Sequence, residues 1–149
     1  MKVIFLDIDG PMKPVRAYWL ERNMVDYGGF DELSVAAINR IYKKTGAGVV
    51  FNSTWNTVGK AYMKHLAKEQ GIEAPIYGVT DYPHLNDRLL AIQKWLADNE
   101  DVELWCALDD CRIEDDRAIL VDPDTGISPD NYREATKHLG NEDSFIVLI

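Results

Sequence analysis

Hydrophobic residues in this chain follow two rhythms. Val3-Ile4-Phe5-Leu6, Val49-Val50-Phe51 and Trp105-Cys106-Ala107-Leu108 are short unbroken runs. Such runs read as strands buried on both faces, as in a parallel sheet. Between them apolar residues recur every three or four positions, the period of a helix with one buried side. The first helix is expected over 31–44, with Leu33, Ala37, Ile38 and Ile41 inward and Gly46 as its stop. A second is expected over 57–70, with Tyr62, Met63 and Leu66 inward and Gly71 ending it. A third spans 87–98, with Leu89, Ile92, Trp95 and Leu96 as its stripe. Ser128-Pro129, a capping residue and a first-turn proline, opens a fourth that stops near Gly140. Further strands are expected at 48–53, 75–78, 102–108 and 117–121, and the apolar tail 145–149 is a candidate edge strand. Strands that alternate with helices predict an α/β fold around a mostly parallel sheet.

Polar residues cluster where the strand runs stop. The first run ends in Asp7-Ile8-Asp9-Gly10, the second in Ser53-Thr54-Trp55, the third in Asp109-Asp110. Side chains alternate along a strand, so Asp7 and Asp9 would share a face if the strand continued through both. Two acids placed together repel each other, and a hard, oxygen-seeking cation such as Mg²⁺ resolves that cost. A surface Asp-Gly turn is the plain alternative for the first motif taken alone. Ligand sites in open parallel sheets form beyond the carboxyl ends of the strands, where all three motifs would meet. Arg88, in Asn86-Asp87-Arg88 ahead of the third helix, supplies a positive charge. A cation at a helix start opposes the helix dipole, so the position favours a functional role over an ordinary surface arginine. Lys60 and Lys64 are the other candidate cations.

Charge and cysteines narrow the function classes. There are 16 Lys and Arg against 25 Asp and Glu, a net charge of −9 over 149 residues. An acidic balance works against tight, non-specific gripping of a long polyphosphate chain. The groups Asn99-Glu100-Asp101 and Glu114-Asp115-Asp116 read as solvated loops. The two cysteines, Cys106 and Cys111, form no Cys-x-x-Cys and have no histidine cluster beside them, which argues against zinc. His65, His84 and His138 are scattered and read as structural. Reduced thiols, a first strand directly behind Met1 and no apolar stretch of about 20 residues point to a cytoplasmic protein without leader or membrane span. The length fits one domain, 1–149, with a core of its own.

Taken in order, these motifs resemble those of the haloacid dehalogenase-like (HAD) hydrolase superfamily over nearly the whole chain. Asp7 matches the family's nucleophile, Asp9 its general acid/base, Ser53 its second-motif hydroxyl, Arg88 its Lys or Arg, and Asp109-Asp110 its acidic metal motif. Ser53-Thr54-Trp55, Arg88 with Trp95-Leu96, and Val121-Asp122-Pro123-Asp124-Thr125-Gly126 resemble the smaller group of Swiss Army Knife RNA repair-like proteins. Two residues depart from the pattern. Pro11 stands where Thr or Val is usual and removes an N–H donor. Asn56 stands where the relatives tend to have Arg, which removes a phosphate-gripping charge.

The resemblance implies a three-layer, Rossmann-like fold with minimal or no cap domain and an open site. It implies a Mg²⁺-dependent phosphatase working through phospho-Asp7. Asp7, Asp9, Ser53 and Arg88 would be catalytic, with Ser53, Thr54, Trp55 and Arg88 toward the substrate. Asp7, Asp9 (through its carbonyl), Asp109 and Asp110 would hold the metal. Whether Asp109 or Asp110 is the direct ligand, and whether Ser53 or Thr54 is the motif hydroxyl, stays open. Trp55 either stacks on a base or packs beside the site. The family's flap falls on 11–30, where Tyr18, Trp19 and Tyr27 either cover the site or anchor the loop. The expected partner is a phosphorylated substrate, a nucleotide or nucleic-acid end. Two rivals remain: a catalytically idle module acting through a protein partner, and a phospho-accepting receiver. A receiver carries its acceptor acid without the second acid that Asp9 provides.

Overall fold

The computed structural model describes residues 1–18, 29–81 and 87–143. Five strands form the sheet: β1 (Lys2–Leu6), β2 (Gly48–Phe51), β3 (Ile76–Val79), β4 (Leu104–Asp109) and β5 (Ala118–Leu120). Helices α1 (Glu32–Thr45), α2 (Lys60–Glu69) and α3 (Arg88–Asp98) connect the first four strands in turn, and α4 (Pro129–His138) follows β5. The strand order is β3-β2-β1-β4-β5 and every pairing is parallel. This is an α/β, Rossmann-like architecture.

The unbroken apolar runs alternate between two cores. Ile4, Leu6, Val49, Phe51, Cys106 and Leu108 face a layer holding Ile38 and Ile41 of α1, Met63 and Ala67 of α2, and Ala135 of α4. Val3, Phe5, Val50, Trp105 and Ala107 face the opposite layer, where α3 contributes Ile92, Trp95 and Leu96. Phe5 meets Trp95 and Trp105 edge-on, at centroid distances of 5.6 and 5.5 Å. A fully buried chain of this size contributes roughly 1.5–3 kcal/mol. Coverage of both sheet faces is why β1 shows no polar alternation until its end.

The helices depart from the sequence pattern in three places. Leu33 was expected inward and is 68% exposed, while Ser34 is fully buried. Asp31 caps α1 by accepting the Ser34 N–H at 3.1 Å, and the Ser34 hydroxyl accepts the Ile127 N–H at 3.3 Å. Those bonds turn Ser34, Ile38 and Ile41 to the sheet and Leu33 to solvent. Tyr62 is likewise outward, at 52% exposure, because Met63 and Ala67 form the buried row of α2. The second helix also starts later than 57: Thr54–Val58 are a 3-10 helix, and Gly59, outside helical dihedrals, separates it from α2. At α4 the expected Ser128 cap is present, paired with Asn131 in a reciprocal capping box. The candidate edge strand 145–149 lies outside the described residues. Among the described residues no helix is long and apolar enough to cross a membrane.

Candidate active site

The chain leaves β1 toward β2 and β3, then returns to build β4 and β5 on the other side. The reversal opens a crevice at the carboxyl ends of β1 and β4, the usual ligand position in such sheets. Register pairs Leu6 with Leu108, and the Asp7 N–H donates to the Leu108 carbonyl at 3.1 Å. Asp7 and Asp109, one step farther along each strand, therefore emerge side by side.

Both carboxylates are buried, each 2% exposed, and Arg88 at the start of α3 closes over them, 7% exposed. Its Nη1 donates to Asp109 Oδ2 at 2.9 Å and to the Asn52 carbonyl at 3.2 Å, and lies 3.4 Å from Asp7 Oδ2. The Ile8 N–H donates to Asp7 Oδ1 at 2.8 Å, and the Cys111 N–H to Asp109 Oδ1 at 2.9 Å. Burial pushes the Asp7 carboxyl up to about 9, with the Asp109 and Asp110 charges adding to it and Arg88 opposing it. Burial also raises Asp109, to about 6, against the pull of Arg88. Burial disfavours the Arg88 charge, but Asp7 and Asp109 outweigh it and raise its pKa. One guanidinium serves two buried carboxyl groups, and Asp7 keeps a proton for want of further positive charge.

Asp110 completes the acidic group from the loop after β4, near enough to hydrogen-bond Asp7. Gly10 makes room for it. A Cβ at Gly10 would sit 2.7 Å from Asp110 Cβ and Cγ, and its φ of +100° disfavours any side chain. Ligand atoms of Asp109, Asp110 and Cys111 lie within 4.8 Å of one another. Three carboxyl groups beside one guanidinium, offering mostly oxygen donors, fit a hard divalent cation. Glu114 and Asp115, farther along that loop, are instead paired with Arg112 at 3.3 Å and Arg117 at 3.0 Å.

Asp9 has partners of its own. β1 ends at Leu6, and the chain turns through Gly10, whose N–H donates to the Lys13 carbonyl at 3.2 Å. The Asp9 carboxylate accepts the Trp55 indole N–H at 3.0 Å and the Tyr18 hydroxyl. β1 stops before both acids, so the turn after the strand, and not strand alternation, places Asp7 and Asp9.

Ser53 is fully buried, and its hydroxyl oxygen accepts the Trp55 N–H at 3.2 Å as the cap of the 3-10 helix. Thr54 is half-buried beside it. Asn56 points into the protein, where its Nδ2 donates to the Phe51 carbonyl at 2.8 Å and to Thr80. Its Oδ1 is buried without a partner among the described residues, as is Arg88 Nε. Position 56 thus braces the strand ends. Asn52 and Thr80 belong to the same support: Thr80 Oγ1 donates to Asn52 Oδ1 at 2.8 Å, and Asn52 Nδ2 reaches the Arg88 carbonyl at 3.4 Å. Sequence reasoning missed both; the only signal was a polar residue directly after each of two strand runs. Lys60, Lys64 and His65 are exposed on α2. Trp19, Tyr27, His84 and Asn86 lie outside the described residues.

The late Asp-Pro…Gly segment packs against the loop after β1. The Val15 N–H donates to the Pro123 carbonyl at 2.8 Å, and a Cβ at Gly126 would fall 2.7 Å from Ser34 Oγ and 3.2 Å from the Pro11 carbonyl oxygen.

Searches of curated proteins and of solved structures return no match. The family model described as the HAD domain in Swiss Army Knife RNA repair proteins matches residues 3–132. That span runs from β1 into α4 and takes in every acid, hydroxyl and guanidinium placed above, so the chain belongs to this family of HAD domains.

Proposed function

We propose that the protein is a phosphomonoesterase that acts through a phosphoryl group carried on Asp7. The observation that carries this reading is the convergence of Asp7, Asp109 and Asp110 at the β1–β4 crevice, with Arg88 as their buried counter-charge. Asp7, Asp109 and Asp110 would hold Mg²⁺, which supplies positive charge against the phosphate oxygens and favours ionised Asp7.

In the first half-reaction Asp7 attacks phosphorus, its O–P bond forms, and the ester P–O bond breaks. Asp9, as a carboxylic acid, gives its proton to the leaving oxygen. In the second half Asp9 takes a proton from water while the water oxygen bonds phosphorus and the Asp7 O–P bond breaks. A carboxylate nucleophile splits one slow step into two faster ones. Arg88 holds Asp7 and Asp109 in place, and Ser53 or Thr54 offers a hydroxyl to the phosphoryl group.

The substrate is a nucleotide or a nucleic-acid end phosphate. Membership of a family named for RNA repair proteins supports the class, and the charge of −9 favours a short ligand over a long strand. The test is a phosphatase screen with Mg²⁺ across nucleotides, 3′- and 5′-phosphorylated oligonucleotides, sugar phosphates and phosphopeptides. Release of phosphate from nucleotides or oligonucleotide ends, lost in Asp7→Asn, is the expected result. Uniform failure overturns the reading.

A further inference from the structure

We propose that Trp55 and Tyr18 are positioning residues that clamp the Asp9 carboxylate for proton transfer, a role that rests on the phosphatase reading above. The Trp55 indole N–H donates to Asp9 Oδ2 at 3.0 Å, and the Tyr18 hydroxyl donates to Oδ1. One donor on each oxygen fixes both the position and the plane of the carboxyl group. Asp9 is only half-buried, so packing alone does not hold it.

Each donor is itself held. The Trp55 backbone N–H is bonded to Ser53 Oγ at 3.2 Å, and its ring packs against the buried core. The Tyr18 ring lies under the Lys13 ammonium, 4.4 Å from its centroid. Lys13 is tied in turn to the Asp9 turn through its carbonyl, which accepts the Gly10 N–H at 3.2 Å. Donors from the end of β2 and from the segment after β1 thus converge on one side chain. Proton transfer needs the acid within about 2.6–3.2 Å of the leaving oxygen, so a wandering carboxyl loses rate. The indole and phenol protons stay where they are; only Asp9 gives and takes a proton in the cycle.

Stacking of Trp55 on a nucleobase makes a different prediction, and the leaving group separates the two. Dinitrophenolate departs without a proton, whereas a nucleoside alkoxide needs one. Trp55→Phe is expected to lower kcat about 10-fold or more on a nucleoside monophosphate, with KM within about twofold, and to leave kcat/KM on 2,4-dinitrophenyl phosphate nearly unchanged, because kcat/KM there reports formation of phospho-Asp7 and not its hydrolysis, in which Asp9 serves both esters. Tyr18→Phe, which keeps the ring under Lys13, shows the same selectivity at about threefold. Trp55→Phe adds little to Asp9→Asn, because both act on one group. Equal losses in kcat/KM on both esters, or a rise in KM confined to nucleotides, overturns the role.

A readout without turnover accompanies the kinetics. The Trp55 indole N–H resonance, assigned by its loss in Trp55→Phe, must shift in Asp9→Asn; an unmoved resonance refutes the clamp. Wild-type protein that cleaves neither ester defeats the phosphatase reading and the catalytic role together, and the resonance alone then decides whether the clamp exists.

Discussion

Two of the places where buried carboxylates meet arginines differ in balance. On the α1–α4 side, Asp143 is 6% exposed and accepts from Arg40 Nε at 3.0 Å and from the Tyr132 hydroxyl. Its backbone N–H donates to Thr136 Oγ1 at 3.0 Å. Burial pushes the Tyr132 phenol up to about 12, so it remains a neutral donor there. Donors answer the acid, and the group joins the end of the described chain to α1. At the β1–β4 crevice Arg88 faces Asp7 and Asp109, with Asp110 adjoining, and its Nε finds no partner among the described residues. A structural ion pair consumes its charge. The crevice keeps a surplus of carboxyl groups over cations, with a proton held on Asp7, and acids shifted this strongly mark a candidate site for something else to bind.

The contrast can be broken or sharpened by experiment, beginning with the largest effect. Asp7→Asn removes the nucleophile and should cost on the order of 10⁴-fold or more in kcat, measured on whichever ester the screen identifies. An active Asp7→Asn would move the chemistry elsewhere. Arg88→Ala leaves buried carboxylates without their counter-charge and should destabilise by about 3–5 kcal/mol, read by urea melts. Little loss would place Arg88 outside the support of the site.

Metal and pH act on the same surplus. Mg²⁺ at about 100 times its dissociation constant should stabilise by about 2.7 kcal/mol, and Asp110→Asn should reduce that gain. Asp7 has a folded pKa of about 9 against an ordinary 3.8, so the folded state keeps a proton that the unfolded chain releases. Without metal, stability should therefore fall as pH rises from about 4 to 9, and Asp7→Asn should flatten that slope in thermal melts. Asp109, raised to about 6, adds to the lower part of the window. A metal-free protein whose melting temperature climbs between pH 5 and 9 would contradict the surplus.

Gly10→Ala sets a Cβ against Asp110 and strains a positive φ, and should cost about 1–3 kcal/mol, with weaker Mg²⁺ stabilisation. The smallest effect belongs to the balanced group. The Arg40 side chain is 47% exposed, so water screens its pair with Asp143. Arg40→Ala should cost only a small fraction of the Arg88→Ala loss and leave kcat unchanged. A comparable loss would erase the distinction between the two arginines.

Much of the architecture was readable along the chain, and the exceptions share a cause. Unbroken apolar runs announced strands covered on both sides, and Asp31, Gly46 and Ser128 marked helix ends through local hydrogen bonds. Leu33 and Tyr62 misled because helical phase is set by caps and by tertiary contacts such as that of Ser34 with Ile127. Thr54–Val58 misled because apolar spacing does not separate a 3-10 turn from the first turn of an α-helix.

At the site, residue type and order along the chain named Asp7, Arg88, Asp109 and Asp110, because acids and cations at strand and helix ends are locally unfavourable. Order alone could not aim them. That Asp9 turns to Trp55 and Tyr18, that Asn56 faces inward, and that Asn52 and Thr80 brace Arg88 are decided by strand register and by where β1 stops. Local sequence specifies elements through short-range bonds and periodicity. The balance of charge in the crevice emerges only when parallel strands, distant along the chain, bring their ends to one edge and exclude water from it.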